Sequence, residues 1–464
     1  MGISDQGVTV NHWRPTRLVD TVFSIKSGAW GTDPKSGGTL CIRIADFNTD
    51  NRAVVFKSRT LREIDKALLP GLLLKPGDLL VEKSGGGDKV PVGRIVMWKS
   101  DEEAITSNFV SRIRLKSEYV PSYMSRVFQI QYVSGLSRKW LKQSTGIQNL
   151  DLANYLRETF PLPGLPEQIL LARFLDHAEL RIAKAIQAKQ KMVALLNERK
   201  QVIISELVTR GLNPDVPMKD SGQAWLGQIP AHWDVVRLGS VLEERNEMND
   251  KEQVAQVLSL LRKRGVMLYE DKGRVGNKKS ENIRRYKIVR ENDIVVNCMN
   301  VIIGSVGLSS YVGCLSPVYY VLKVRNESAS SAYFNNVFQI EPFHKSLVRY
   351  GKGILAHRMR ISMLDLKAVL IPKPPIAEQM AINESIANRT AGIDSAIVAV
   401  EREIELLKEY RTVLISDVVT GKKDVRAEAA SLPDVDPAEL AFVLSGAVSV
   451  DGEEDEVDGA SEAE

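Results

Sequence analysis

The chain has 464 residues, 44% apolar and 26% charged, a globular balance that excludes a wholly disordered or fibrous protein. Three cysteines (Cys41, Cys298, Cys314) exclude a disulfide framework and suit a reducing cytoplasm. The net charge of +4 is lopsided: residues 432–464 carry eleven carboxylates and no Lys or Arg, which leaves +15 on the rest.

Met1 to Val10 lack the apolar core of a signal peptide, and no apolar run is long enough to span a bilayer, so a cytoplasmic protein is expected. Residues 1–150 hold 22 basic and 14 acidic residues, and residues 221–360 hold 21 and 13. Two equally basic blocks suggest a polyanion partner, with nucleic acid the first candidate. Uneven surface charge serving solubility is the plainer reading.

Residues 1–160 read as a mixed domain of short strands and glycine turns, with a helical patch from Tyr119 to Tyr132. His12-Trp13 and then Arg17-Leu18 open it. KSGAWGTDPKSGG, from Lys26, sets Trp30 among the cations Lys26 and Lys35, and Arg43 follows. KPGDLLVEKSGGG, from Lys75, is an Asp-containing turn, a short apolar strand and a glycine run. There Lys83-Ser84-Gly85-Gly86-Gly87 permits close backbone approach to a phosphate, or closes a simple hairpin. SGLSRKWLKQSTG, from Ser134, gathers Arg138, Lys139 and Lys142, and the Gln143 amide has the two-pronged geometry that reads adenine.

Residues 161–211 read as a long helix. PLPGLPEQ, from Pro161, stops any earlier helix, and Gly211 sits where a C-terminal cap belongs. Ile186, Val193, Lys200 and Leu207 fall seven apart, and Ile182, Lys189, Leu196 and Ile203 form a second series. These are alternating a and d positions of a coiled-coil seam. About 43 residues at ~1.5 Å each predict a rod near ~65 Å.

After a linker at 212–230, residues 231–371 reopen with His232-Trp233 and Arg237-Leu238. RENDIVVNCMN, from Arg290, echoes the first block's Asp turn and strand, and SPVYYVLKV, from Ser316, parallels SNFVSRIRL, from Ser107. Candidate DNA contacts are Arg262, Lys263, Arg264, Arg274, Lys278, Arg285, Arg358 and Arg360, with Asn297 and Asn300 just after a predicted strand. Any one cluster reads as easily as a solvated face; their density is what suggests phosphate contact.

Residues 372–426 repeat the long helix. PKPPIAEQ, from Pro372, matches PLPGLPEQ at an offset of 211 residues, which holds without a gap to Val208-Thr209 and Val419-Thr420. The seam is Ile393, Val400, Leu407 and Leu414 with Ile397, Ile404, Arg411 and Val418, and Gly421 is the cap. Two such stripes are expected to pair with each other. Lys200 and Arg411 share one seam position; their stems are expected to cover the seam while the charges reach solvent, or to form a polar layer that sets register. Residues 427–464 read as an acidic, disordered tail with one short helix between Pro437 and Val450.

The expected architecture is α+β: two globular mixed α/β domains and two long antiparallel coiled-coil helices, as an internal pseudo-two-fold repeat. MKDSGQAWLGQIPAHWDVVRL, from Met218, resembles the junction in specificity subunits of type I restriction–modification systems. Pro-x-Pro with Glu-Gln opening a long helix resembles that family's spacer region, and ISDVVTGKKDVR, from Ile415, its usual ending. The resemblance spans roughly residues 10–426. It implies that each domain reads half of a split, asymmetric DNA target and that the paired helices set the gap. It also implies that the chain docks two methyltransferase subunits, with restriction–translocase subunits as further partners. No cofactor is expected on this chain, and S-adenosylmethionine is implied for the partner methyltransferase.

The residues themselves argue against an enzyme. An adenine methyltransferase needs an Asn/Asp-Pro-Pro-aromatic motif to hold a flipped base, whereas Asn213-Pro214 runs into Asp215 and Lys373-Pro374-Pro375 into Ile376. No Gly-Lys-Ser/Thr phosphate loop appears, and the scattered His and Cys residues lack metal-ligand spacing. The remaining competitor is a coiled-coil scaffold that does not bind DNA.

Overall fold

A computed structural model describes residues 12–446, apart from 50–51, 57, 88–89, 145–146, 263, 274–278, 281 and 352–359. Helix and strand are mixed along the chain, as expected for an α+β protein. The described residues fall into two compact units: one takes the chain up to Gln190 and again from Arg402, the other Lys191–Glu401. Each unit therefore contains a β-rich domain and parts of both long helices.

In the first unit, a six-stranded sheet runs in the order Val22–Ser27, Val110–Leu115, Leu79–Glu82, Ile95–Met97, Ala53–Val54, Phe47–Asn48. The two β-rich motifs read from sequence are adjacent antiparallel strands here, with Ile113 opposite Leu79. Asp78 braces the turn before them by accepting the backbone N–H of Lys75, three residues back, at 2.7 Å. Leu80, Val96, Trp98 and Val110 fill the core beside this sheet.

In the second unit, a four-stranded sheet runs Leu242–Glu244, Tyr319–Val324, Ile294–Asn297, Val306–Leu308. Again the echoed motifs are neighbours, with Leu322 opposite Ile294, and Asp293 accepts the Arg290 N–H at 2.8 Å. Trp233, Leu238, Phe334 and Phe338 pack with Ile204, Leu207, Ile382 and Ile386 of the long helices in one core. Burying a side chain of this size contributes about 1.5–3 kcal/mol, so the helices are integral to this unit rather than appended to it.

The long helices span Leu165–Arg210 and Ile376–Val419. The first begins within its Pro-rich lead-in, with Pro166 in its first turn, the second begins just after Pro375, and each stops shortly before its predicted glycine. Gly211 has φ +77° and Gly421 φ +72°, left-handed geometry that favours glycine at a helix end. Within the second unit, Lys200 Nζ reaches Asp394 at 2.6 Å and Arg389 lies 3.6 Å from Glu206, so the helices run antiparallel there. Every seam residue is buried or half-buried: Ile182, Ile186, Val193, Leu196, Ile203 and Leu207 on one helix, Ile393, Ile397, Ile404, Leu407, Leu414 and Val418 on the other. Leu195, Val202, Leu406 and Val413, off the seam, are exposed. Lys200 thus pairs across the seam rather than only snorkelling. Half-buried Arg411 lies in the first unit, near enough to Arg52 to disfavour its charged form.

The tail has the short helix expected from Pro437 but is otherwise more structured, up to Gly446, than its composition suggests. Arg426–Ala430 and Pro437–Gly446 are helices, and Ala429, Leu440, Val443 and Leu444 are buried in the first unit. The acidic composition hid a short apolar stripe. Its expected extension to Val450, and the carboxylates from Asp451 onward, lie outside the described residues.

Candidate nucleic-acid interface and helix joints

Each long helix is fixed to a β-rich domain by the same joint. Strand Arg14–Arg17 pairs antiparallel with Thr159–Leu162, the segment that leads into the first helix. Asp234–Arg237 pairs likewise with Leu370–Lys373 ahead of the second. At the first joint Glu167 accepts the Trp13 indole N–H at 3.1 Å, with His12 Nε2 at 2.9 Å. At the second, Glu378 accepts from Trp233 at 3.0 Å, with His232 Nε2 at 2.8 Å. The following glutamines complete the joints: Gln168 Oε1 accepts the Val120 N–H, and Gln379 Oε1 that of Ser330. The recurring His-Trp and Glu-Gln pairs are therefore structural partners in space. Both carboxylates also lie in the first turn, where the helix dipole favours negative charge.

Hydroxyls lock the same domains to the other helix. Tyr123, buried in helix Pro121–Val133, donates to the Val419 carbonyl at 3.3 Å. Tyr333, buried in helix Ser331–Gln339, donates to the Val208 carbonyl at 3.0 Å. These bonds satisfy carbonyls in the last turns of the two helices, which have no partner within the helix.

The first unit adds a buried ionic network; at the matching joint of the second, Asn336 bonds Asn383, and no charged counterpart is found among the described residues. Arg52 Nη2 lies 2.7 Å from both oxygens of Glu179, and Arg126 Nε donates to the same carboxylate at 3.0 Å. Arg126 also reaches Asp176 at 2.5 Å, and Arg52 donates to Gln129 at 2.7 Å. Burial pushes the Glu179 pKa up, but the two guanidiniums outweigh it and hold the group down at about 2. Nothing in the sequence pattern distinguished these residues, since partners separated by 127 and 53 positions leave no local signature.

Several first-unit candidates for DNA contact are brought together. Leu141–Ser144, Ile147–Leu150 and Ser84–Gly85 form one small sheet, with Gln143 opposite Gln148. Ser84 bonds Asn149 at 2.6 Å, and Lys83 Nζ donates to Ser27, next to Lys26, at 2.9 Å. Lys142 is exposed and reaches Asp151 at 2.7 Å. Lys26, Lys35, Arg138 and Lys139 are exposed. Arg43 is half-buried and lies 3.5 Å from Asp46, so it supports its own turn. Trp30, 40% exposed, lies under the Arg62 guanidinium at 3.9 Å from ring centre to Cζ, and Arg62 also pairs with Asp33. Arg62 carries no such signal in the sequence, because it lies in the short strand Leu61–Arg62 and not in a glycine loop.

In the second unit Arg262, Arg264, Arg285 and Arg360 are exposed. Arg262 and Arg264 sit at the turn between Leu258–Leu261 and Gly265–Leu268, and Arg264 reaches the Asp271 carbonyl at 3.5 Å. Asn297 and Asn300 correct an expectation: they are only 2% and 7% exposed. Asn297 Oδ1 accepts the Met299 N–H at 3.1 Å, so it braces a turn instead of meeting a base. Lys263, Arg274, Lys278 and Arg358 lie outside the described residues. Among the described residues no group of His, Cys, Asp and Glu is placed to hold a metal, and no helix is long and apolar enough to cross a membrane.

No family model matches the chain. It is 21% identical to the MjaX specificity subunit described for a type I restriction enzyme of Methanocaldococcus jannaschii, over 89% of this chain and 94% of the relative. It is also 21% identical to the type I restriction enzyme EcoBI specificity subunit of Escherichia coli, over 89% of this chain and 85% of that protein. The chain is a homologue of type I specificity subunits. A solved structure, described for complex assembly and conformational transition of the type I R-M system, shares the fold. Its TM-score is 0.58 at 15% identity, covering 89% of this chain and 98% of that one.

Proposed function

We propose that this chain is the DNA-recognition subunit of a type I restriction–modification complex, a specificity component and not the enzyme itself. The observation that carries this reading is the joint used twice: a β-rich domain with exposed cations, locked through Trp–Glu and Gln–backbone bonds to the head of a long helix. Rigid joints are what a recognition protein needs, because a reader on a loose hinge cannot hold register on a duplex. The two units share strand pairings but not loop residues, which suits two readers of different half-sites in an internally repeated chain.

Exposed Lys and Arg position the duplex through phosphates, and loop side chains distinguish bases. The exposed apolar residues off the seam, such as Leu406 and Val413, suit the docking of methyltransferase subunits. S-adenosylmethionine then belongs to those subunits, and this chain acts on no substrate of its own. Methylated adenines should be mapped in DNA exposed to the chain reconstituted with its methyltransferase partners. Methylation confined to one two-part sequence supports the reading. Equal affinity for target and scrambled duplexes at moderate salt refutes it and leaves the scaffold alternative.

A further inference from the structure

Residues 433–446 lie along one face of the first long helix. Arg173 Nε donates to Asp434 at 2.7 Å, and His177 Nε2 is 2.6 Å from the Pro433 carbonyl. Lys184 Nζ reaches Glu439 at 2.7 Å, and Gln187 donates to the Val443 carbonyl at 2.6 Å. Positions 173, 177, 184 and 187 share one helix face and none is a seam position. The tail helix Pro437–Gly446 lays Leu440, Val443 and Leu444 inward. This is helix-in-groove recognition: apolar anchors at i, i+3 and i+4, flanked by carboxylates on cations.

The fit is loose. An open cleft of about 200 Å³ remains beside Ala441 and Leu444, bounded by Val54, Phe56, Met97 and Trp98. The Trp98 indole N–H is buried there without a hydrogen-bond partner. The two ion pairs are largely solvent-facing, where such pairs contribute little. A ten-residue helix is too short to hold its shape alone, so its order depends on the groove. Outside the groove, Phe442 is 77% exposed.

We propose that this groove on the first unit is a receptor for an acidic amphipathic helix, filled in cis by residues 433–446 as a detachable strap. A protein partner that presents a helix of the same chemistry competes with the strap for the groove. The inference stands on the tail contacts and is independent of DNA recognition.

The test uses the full-length chain and a fluorescent peptide comprising residues 432–446. Leu444→Asp places a charge in the apolar floor and should release the strap, speeding amide exchange across 437–446 at least tenfold while exchange in Leu79–Glu82 stays unchanged. The same variant should bind the peptide at least tenfold more tightly than the wild-type chain. Adding Lys184→Glu should weaken that binding, and a peptide with Lys in place of Glu439 should recover it. Ala441→Met, which fills the cleft, should act in the opposite direction, slowing exchange and excluding the peptide. Unchanged exchange in Leu444→Asp would show that the strap is a fixed part of the unit. Released exchange without tighter peptide binding would show that the groove is no receptor. Either result overturns the proposal.

Discussion

Glu167 accepts the indole N–H of Trp13 at 3.1 Å, binding the second residue of a recurring His-Trp pair to the first turn of a helix more than 150 positions away. Glu378 and Trp233 repeat the bond at 3.0 Å, with Trp233 fully buried. Removing the acceptor leaves a buried indole N–H unpaired, which costs about 1–3 kcal/mol. Glu378→Ala should therefore lower the denaturant midpoint of the second unit by a corresponding amount. Trp233 fluorescence on urea titration reads this. An unchanged midpoint would mean that water replaces the carboxylate without cost.

The Glu179 network makes the first unit acid-sensitive. Its folded-state pKa of about 2 lies below the ordinary glutamate value, so its contribution is complete above about pH 4.5. It is lost progressively as pH falls from there toward 2. Glu179→Gln leaves Arg52 beside the neutral Gln129 and Arg126 with Asp176, in a buried site, and should cost about 3–5 kcal/mol. It should also flatten the decline of stability between pH 4.5 and 2. Denaturant titrations across that range, with exchange confined to Val110–Leu115 as the reporter, measure both. A variant as stable as wild type at pH 7 would show that the guanidiniums are not desolvated.

How much was legible follows from the range of each interaction. The long helices were plain because a heptad pattern is local, and the offset of 211 residues doubled the signal. The Asp turns at Asp78 and Asp293 were plain for the same reason. The Trp–Glu joints were half-legible: both motifs stood out as repeats, but their pairing spans 154 and 145 positions. Asn297 and Asn300 misled because a polar amide after a strand looks like a surface reader, whereas both are buried and Asn297 bonds the backbone of its own turn. In the tail the short helix from Pro437 was legible, but its packing was not, because the tail's charge outweighed the three apolar residues Leu440, Val443 and Leu444 that decide it.

Lys200 and Asp394 test whether a seam charge sets helix register. They meet at 2.6 Å with both side chains partly solvated, so the pair is worth only about 0.2–1 kcal/mol. Register depends on the penalty for the wrong neighbour more than on that gain. Lys200→Asp should destabilise by about 1 kcal/mol by opposing two carboxylates, and Asp394→Lys added to it should restore stability. A double-mutant cycle in thermal denaturation gives the coupling, and additive losses would leave the seam's apolar layers as the sole determinant.

Helix length is expected to govern target spacing. One heptad advances a helix by about 10 Å, close to three base pairs of B-form DNA. Deleting a heptad from only one helix would throw Lys200 off Asp394 and Arg389 off Glu206, so the deletion must be made in both. With both shortened between Lys189 and Lys200 and in the facing stretch of the second helix, the seam stays in phase, because a seven-residue step preserves a and d positions. Each Trp–Glu joint is untouched, so both domains keep their readers and the half-sites stay the same. Sequencing of sites methylated by the reconstituted complex should then show the same two half-sites separated by a gap about three base pairs shorter. Loss of all methylation, with both units still folded by exchange, would mean that gap length is set jointly by the partner subunits. An unchanged gap would sever helix length from spacing altogether.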